Sequence, residues 1–114
     1  MPSGGNPPPT GSGILFTADL NSELMSTGDS KIDLGVIVVR IATGDLPGSF
    51  TAVQVACTHQ GTSINYNTAQ GIFICPAHGC EFSKTGKVLM GLAETALHQY
   101  TVTVDNSNML TVTA

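Results

Sequence analysis

Two short boxes of the sequence bring together residue types that bind metals. The first box reads CTHQG from Cys57, and the second, separated from His59 by fifteen residues, reads CPAHGC from Cys75. Each box offers one thiolate and one imidazole, and the second imidazole is that of His78. Two soft sulfur ligands and two borderline nitrogen ligands form a complete set for a metal centre. The spacing therefore predicts one metal site shared by the two boxes.

A structural zinc ion is one candidate for this site, because tetrahedral sites with two cysteines and two histidines are common. Zinc sites usually pair like ligands, as Cys-x-x-Cys and His-x-x-x-His. Each box here mixes a cysteine with a histidine. The mixed boxes favour a different centre and leave a zinc-binding module as the alternative.

The two boxes resemble those of Rieske proteins, whose [2Fe-2S] cluster has one iron on two cysteines and the other on two histidines. The resemblance implies that Cys57 and Cys75 bind one iron, and that His59 and His78 bind the other. It implies an all-β fold, a Rieske-type antiparallel β-sandwich with a small cluster-binding subdomain inserted in the base domain. It also implies one-electron transfer, with the histidine side facing the partner. Nothing in the sequence supplies a separate catalytic base, so we expect an electron-transfer protein and not an enzyme.

The boxes depart from those of cytochrome bc-type Rieske proteins, which carry an additional cysteine in each box, joined by a disulfide. The matching positions here hold Thr62 and Ala77. Those proteins also place a serine after the second-box glycine and a tyrosine two residues later, where this chain has Cys80 and Phe82. A thiol is a weak donor and phenylalanine donates nothing. Since donors to the sulfurs stabilise the reduced state, we expect a potential below that of the ubiquinol-oxidising members. We interpret Cys80 as a small, partly buried residue.

The composition excludes some partners and favours others. The chain has 114 residues, enough for one domain with its own core, and a net charge of −4 with only four basic residues. We expect no nucleic-acid partner, because few positive charges are present to displace counterions. The resemblance implies a redox partner, either a cytochrome, an oxidoreductase subunit or quinol, in a quinol-linked respiratory chain. The alternative is a Rieske ferredoxin or a small subunit serving an oxygenase or an arsenite oxidase-like enzyme.

Residues 1–13 are rich in proline, glycine and serine, and we predict a flexible linker before a Rieske domain at 14–114. The linker has no apolar run that could act as a signal peptide or membrane anchor. We therefore expect membrane association only through an anchor that this chain lacks. The resemblance to bc-type proteins favours an extracytoplasmic location over a cytoplasmic one.

The elements that must position the boxes are predicted to be strands. Strand 50–56 leads into the first box and strand 71–74 into the second, so both boxes should be loops braced by a sheet. Residues 31–41 are so rich in β-branched side chains that they predict one strand buried on much of both faces. Further strands are predicted over 14–20, 63–66, 88–90, 97–104 and 109–112.

The cluster-binding subdomain is expected over about 57–93. Its last three residues, Gly-Leu-Ala, resemble the Gly-Pro-Ala loop that covers the cluster in the family, with Leu92 in place of the proline. We expect Met90 and Leu92 to cover the site, although core packing is a second interpretation for them. His98, far from the boxes, is predicted to be an exposed strand residue.

Overall fold

The computed structural model describes residues 13–59, 61–77, 79–91, 93 and 95–114. The predicted linker lies outside this range except for Gly13, whose carbonyl accepts a hydrogen bond from the N–H of Ala114. Within the described residues the chain forms ten strands and one short 3-10 helix, Pro47–Ser49. The strands are β1 Ile14–Asp19, β2 Ser30–Asp33, β3 Val36–Arg40, β4 Phe50–Gln54, β5 Asn65–Asn67, β6 Ile72–Ile74, β7 Glu81–Phe82, β8 Val88–Met90, β9 Thr101–Val104 and β10 Met109–Thr113.

The strands form three antiparallel sheets. The first has the order β1-β10-β9, the second β2-β3-β4 and the third β5-β6-β7-β8. The third sheet is inserted in the sequence between β4 and β9, which belong to the other two sheets. This arrangement confirms the predicted all-β fold, with a base of two sheets and an inserted subdomain.

The β2-β3-β4 sheet lies between two apolar cores, and β3 shows this most clearly because all five of its residues are buried. Val36 and Val38 belong to the core shared with β1 and β10, whereas Ile37 and Val39 belong to the core shared with the third sheet. Successive side chains of a strand point to opposite faces, so one buried strand serves both cores. The inserted subdomain is thereby packed directly on the base.

The single strand predicted over 31–41 is wrong, because the structure divides it into β2 and β3. The chain turns at Leu34 and Gly35, whose φ angles are 48° and 79°. Two positive φ angles in succession are typical of the tight hairpin turns that match the twist of paired strands. The run of β-branched residues concealed this turn. Only β3 is buried on both faces, while most of β2 is exposed.

The other predicted strands agree with the structure to within a few residues. The closing hairpin is confirmed, with β9 and β10 paired around a turn in which the side chain of Asp105 accepts hydrogen bonds from the N–H groups of Ser107 and Met109. The one strand that sequence analysis missed is β7. It has only two residues, too few to show an alternating pattern, and it pairs with β6 through Phe73 and Phe82.

Candidate metal centre

The first box forms a compact loop, residues 57–62, which we call loop 1. The N–H of Cys57 donates to the carbonyl of Thr62 at 2.8 Å, and the N–H of Gly61 donates back to the carbonyl of Cys57 at 2.7 Å. The loop follows β4, and a β-bridge between Ala56 and Ser63 closes its base. The thiol of Cys57 is therefore held at the point where a sheet ends and a tight turn begins.

The second box forms the same kind of turn between β6 and β7, in residues 75–80, which we call loop 2. The N–H of Cys75 donates to the carbonyl of Cys80 at 2.8 Å, and the N–H of Gly79 donates to the carbonyl of Cys75 at 2.9 Å. In both loops the cysteine bonds to the glycine four residues later and to the residue five positions later. The two boxes, different in sequence, thus share one backbone pattern.

The glycine of each loop is required by its backbone conformation. Gly61 has a φ of 79° and Gly79 a φ of 73°, values that residues with a Cβ rarely adopt. Among the described residues, no atom beyond the glycine and its two chain neighbours lies within 4 Å of the place that a Cβ would occupy at either position. The restriction therefore comes from the turn and not from neighbouring side chains. Such turns aim successive N–H groups toward one side and suit an electron-rich group.

The cysteines of both loops enter the same apolar core. Cys57 is 2% exposed and Cys75 is 1% exposed, and none of the three cysteines of the chain, all within the described residues, is in a disulfide. His59 is only half-buried. The buried members of this core are Ile37, Val39, Val53, Val55, Cys57, Ile64, Phe73, Cys75, Cys80, Phe82, Ala93 and Leu97. Two thiols from separate boxes therefore lie in one apolar environment.

Comparison with known proteins identifies this arrangement. The family model of the Rieske [2Fe-2S] domain matches residues 17–101. The chain belongs to the Rieske family. Its cofactor is accordingly a [2Fe-2S] cluster, which decides against the zinc-binding module considered from the sequence.

Several Rieske proteins are similar to this one in sequence. The cytochrome b6-f complex iron-sulfur subunit of Chlorobaculum tepidum is 33% identical over 63 residues, covering 55% of this chain and 35% of that subunit. The corresponding subunit of Synechococcus sp. (strain CC9605) is 37% identical over 65 residues, covering 57% and 36% respectively. This Rieske chain thus spans about a third of the length of the curated relatives it matches.

Two solved structures share the fold. The plasma membrane Rieske protein PetC3 of Synechocystis PCC 6803 has a TM-score of 0.67 and 36% identity, covering 89% of this chain and 98% of that one. The ferredoxin of carbazole 1,9a-dioxygenase from Nocardioides aromaticivorans IC177 also has a TM-score of 0.67, with 21% identity and coverage of 87% and 95%. The second likeness concerns the fold alone.

The candidate ligand side chains that the structure describes in this Rieske protein fit a [2Fe-2S] cluster. Each loop presents a buried thiol at its first residue and an open side at its glycine, and the pair supplies the two sulfur ligands that the cluster needs. His78 lies outside the described residues, and within those residues no three His, Cys, Asp or Glu side chains are grouped as a metal site. The assignment of Cys57, His59, Cys75 and His78 as the four ligands thus stays a prediction.

Polar residues beside loop 1 were not singled out from the sequence. The Thr58 hydroxyl donates to the carbonyl of Thr95 at 2.5 Å. The Gln54 amide accepts from the N–H of His98 at 2.8 Å and donates to the carbonyl of Ala56 at 2.7 Å. Only the position of Gln54, at the end of a strand that leads into a ligand box, could have indicated that its side chain supports the start of loop 1.

The surroundings of loop 2 are apolar, and they bury Cys80 more deeply than the sequence suggested. Cys80 and Phe82 are both fully buried. The ring of Tyr66 meets that of Phe73 edge-on, with centroids 5.2 Å apart, and its burial raises the pKa of the Tyr66 hydroxyl. A neutral phenol at physiological pH adds no charge to this region, and the buried side chains of Cys80 and Phe82 pack beside loop 2.

The predicted apolar cover is described only in part. Met90 is 60% exposed, which excludes the interpretation that it fills the core, and Leu92 lies outside the described residues. His98 is exposed, as predicted, but the predicted strand is wrong at this position, because β9 begins only at Thr101. The ring centroids of His98 and Tyr100 are 4.6 Å apart. Among the described residues, the candidate site therefore consists of the two loops.

Proposed function

We propose that this Rieske protein transfers single electrons in a quinol-linked respiratory chain, as an electron-transfer subunit or as its soluble domain. The observation that carries the proposal is the pair of equivalent turns, each beginning at a buried cysteine. Cys57 and Cys75 would hold one iron, and His59 and His78 the other. A cluster so bound supplies one-electron chemistry at a potential of about −150 to +300 mV.

The difference in burial between the ligands supports a direction for the electron. The two cysteines are at most 2% exposed, whereas His59 is half-buried. The histidine side is therefore the side that a partner can approach. The chain itself offers a route for electrons and would act within an oxidoreductase complex.

The residues after loop 2 support a potential below that of ubiquinol-oxidising Rieske proteins. Cys80 and Phe82 are fully buried in the core that receives both cysteine ligands. The thiol is a weak donor and the phenyl ring donates nothing, so the reduced state gains little stabilisation from either residue. Such a potential suits a menaquinol-linked chain.

The relatives support a proposal for the partners and the location. The subunits from Chlorobaculum and Synechococcus belong to cytochrome b6-f complexes, and PetC3 is a plasma membrane protein. We infer a cytochrome or another oxidoreductase subunit, or quinol, as the partner, and an extracytoplasmic position at a membrane. Within the described residues no helix is long and apolar enough to cross a membrane.

A second candidate function is that of a Rieske ferredoxin or a small subunit serving an oxygenase or an arsenite oxidase-like enzyme. The observation that favours it is the pair Thr62 and Ala77, which leaves the loops without a disulfide. A ferredoxin would pass its electron to an oxygenase component. Reduction by menaquinol in the presence of a cytochrome partner would distinguish the first function from this one.

Electron paramagnetic resonance of the reduced protein, recorded while the potential is stepped, tests the proposal. We expect a rhombic signal with the low average g of mixed cysteine and histidine ligation, and a midpoint in the lower part of the family range. Iron and acid-labile sulfide should be present in equal amounts. A signal typical of four cysteine ligands, or zinc without sulfide, would overturn the assignment of the ligands.

A further inference from the structure

Three residues with a side chain adopt a backbone conformation that usually belongs to glycine. Among the described residues other than glycine, φ is positive at Leu24 (53°), Leu34 (48°) and Asn108 (60°). Most side chains are strained in this left-handed region, and asparagine tolerates it better than leucine does. Asn108 is therefore a residue type that suits its turn. Leu24 is 5% exposed, so its packing in the core of the base offsets its strain.

Leu34 has neither of these justifications. Its side chain is 68% exposed, and it stands in the two-residue turn between β2 and β3, where asparagine or aspartate before glycine is preferred. A single exposed leucine is ordinary on a protein surface. An exposed leucine in a left-handed conformation, however, stabilises the fold neither by packing nor by backbone geometry. Such strain is concentrated at functional sites, and this makes Leu34 a candidate for a role other than folding.

The turn that contains Leu34 lies beside the start of loop 1. The carbonyl of Gly35 accepts a hydrogen bond from the N–H of Val55 at 2.9 Å, which extends the antiparallel pairing of β3 with β4 beyond the ends of both strands. One further step along both chains sets Leu34 level with Ala56, the residue directly before loop 1. The exposed leucine is therefore at the end of the base sheet from which loop 1 begins.

Ile32 adds a second exposed apolar side chain near Leu34, and we call these two residues the hairpin patch. Ile32 is 56% exposed and pairs with Ile37, which is buried in the core that contains Cys57 and Cys75. Directly paired residues of neighbouring strands have their side chains on the same face of the sheet. Ile32 thus stands on the face of the sheet that carries this core, on the edge strand β2.

The charges next to the hairpin patch favour a protein over a membrane surface as its occupant. The ammonium group of Lys31 is already engaged, with the Glu23 carboxylate at 2.8 Å and the carbonyl of Thr17 at 2.9 Å. Asp33, between the two apolar residues, is exposed, and the chain has a net charge of −4. Membranes with anionic lipids attract basic segments. An exposed carboxylate within an acidic chain is unsuited to such a surface.

The size of the hairpin patch favours a transient partner over a second copy of this chain. Stable interfaces bury about 1,200–2,000 Å² in total, whereas encounters between redox proteins are at or below the low end of this range. Two apolar side chains are a small part of a stable dimer interface, but they can orient a short-lived complex. The patch also adjoins loop 1, whose His59 is half-buried. Its position and its size both suit a protein that receives an electron.

We infer that Ile32 and Leu34 form an apolar docking contact for the redox partner, a cytochrome, on the base of the molecule beside loop 1. The inference rests on the proposed function, because the partner receives the electron of the cluster. The contact holds the partner and leaves the reduction potential of the cluster unaltered. Replacing Leu34 by a residue that suits the turn should therefore stabilise the fold and weaken docking at the same time.

The variant Leu34→Asn of the cluster-containing protein tests both effects. We expect urea unfolding at a higher urea concentration, because asparagine is preferred at this turn position, and an unchanged reduction potential. Stopped-flow reduction of oxidised soluble cytochrome c should be about fivefold to tenfold slower, since the variant loses the apolar area that docking buries. The slowing should be similar at low and high salt, because an apolar contact is not screened by ions.

Three further variants separate docking from other effects. Leu34→Met keeps an apolar side chain and should reduce cytochrome c as the unmodified protein does. Ile32→Thr keeps the β-branched shape and should slow the reaction about threefold. Leu46→Asn is the matched control, since Leu46 is also 68% exposed but lies between β3 and β4, at the opposite end of the sheet. Its rate should stay within about twofold of the unmodified rate. Ferricyanide, an oxidant too small to need the patch, should oxidise all the variants equally fast.

An unchanged rate with cytochrome c in Leu34→Asn would overturn the inference. Unfolding of this variant at a lower urea concentration would also overturn it, because Leu34 would then be a folding residue. A dimer that Leu34→Asn dissociates in sedimentation, or binding to phosphatidylcholine vesicles that it abolishes, would overturn the choice of a cytochrome as occupant. An unmodified protein that contains the cluster but does not reduce cytochrome c would do the same. The proposed function fails differently, namely if the unmodified protein has no mixed-ligand signal, so the two failures are distinguishable.

Discussion

Loop 1 and loop 2 share a backbone pattern but are supported by different forces. Loop 1 is surrounded by polar contacts, above all those of Gln54 and Thr58. Loop 2 is supported by packing, since Cys80 and Phe82 beside it are fully buried. The same backbone turn thus gains additional side-chain hydrogen bonds beside loop 1 and additional buried apolar side chains beside loop 2.

This difference predicts unequal sensitivity to mutation. A hydrogen bond contributes about 0.5–1.5 kcal/mol to stability, whereas truncating a buried phenylalanine costs about 3–5 kcal/mol. Single changes beside loop 1 should therefore weaken the site moderately, and truncations beneath loop 2 should weaken it strongly. Removal of a ligand is the exception, because both loops should be equally sensitive to it.

The largest effect is expected from removing a cysteine ligand. Cys57→Ser and Cys75→Ser should each abolish the visible absorbance and the paramagnetic signal of the cluster, because under the proposed ligand assignment each would take away a thiolate from the same iron. Iron and sulfide analysis of the purified variants checks this. Cys80→Ser is the control and should keep the cluster, with a midpoint raised by about 40 mV if the hydroxyl adds about 1 kcal/mol of stabilisation to the reduced state. Loss of the cluster in Cys80→Ser alone would instead make Cys80 a ligand.

The next largest effect concerns the packing beneath loop 2. Phe82→Ala should lower the free energy of unfolding by about 3–5 kcal/mol and speed cluster loss even without denaturant, because the side chain lies in the core of both cysteines. Phe50→Ala empties a similar site in the other core and should cost a similar free energy. Urea unfolding and the decay of absorbance measure the two quantities. Equal cluster lifetimes in the two variants would contradict the special role of packing at loop 2.

Much of this site could be predicted from the sequence, because ligand chemistry is local. Cys57 and Cys75 were identified as candidate ligands by residue type and spacing, and the strands that lead into them were predicted from β-branched residues. The turn at Leu34 was missed because an apolar residue in a left-handed conformation carries no signal in composition. The contact of Gly91 with Cys80 was missed for a different reason, since it depends on how the third sheet brings β7 and β8 together.

A smaller effect is expected beside loop 1. Gln54→Met keeps the size of the side chain but removes the bonds to Ala56 and His98, and should cost about 1–2 kcal/mol in unfolding free energy. Cluster loss should speed up by less than in Phe82→Ala. Gln70→Met, in the exposed turn before β6, controls for the substitution itself. A cost in Gln54→Met equal to that of Phe82→Ala would show that the two loops depend on hydrogen bonds and packing alike.

The smallest effect should lie far from both loops, in the base. Lys31 Nζ contacts Glu23 Oε1 at 2.8 Å, and this hydrogen bond and the N–H of Asp19 lower the pKa of the Glu23 carboxyl from its ordinary value of 4.5. A lowered pKa means that the folded state favours the ionised carboxylate. The stabilisation is therefore present above pH 4.5 and is lost as the pH falls through the lowered pKa.

Because both side chains are partly exposed, we expect Glu23→Gln to cost only about 0.2–1 kcal/mol at pH 7, and less as the solution is acidified. Urea unfolding at pH 7 and pH 3 measures the two differences. The potential and the cluster lifetime should stay unchanged, since the pair belongs to the base and touches neither loop. A change in either property would show that the base also positions the cluster, and the comparison of the two loops would then have to include the sheet beneath them.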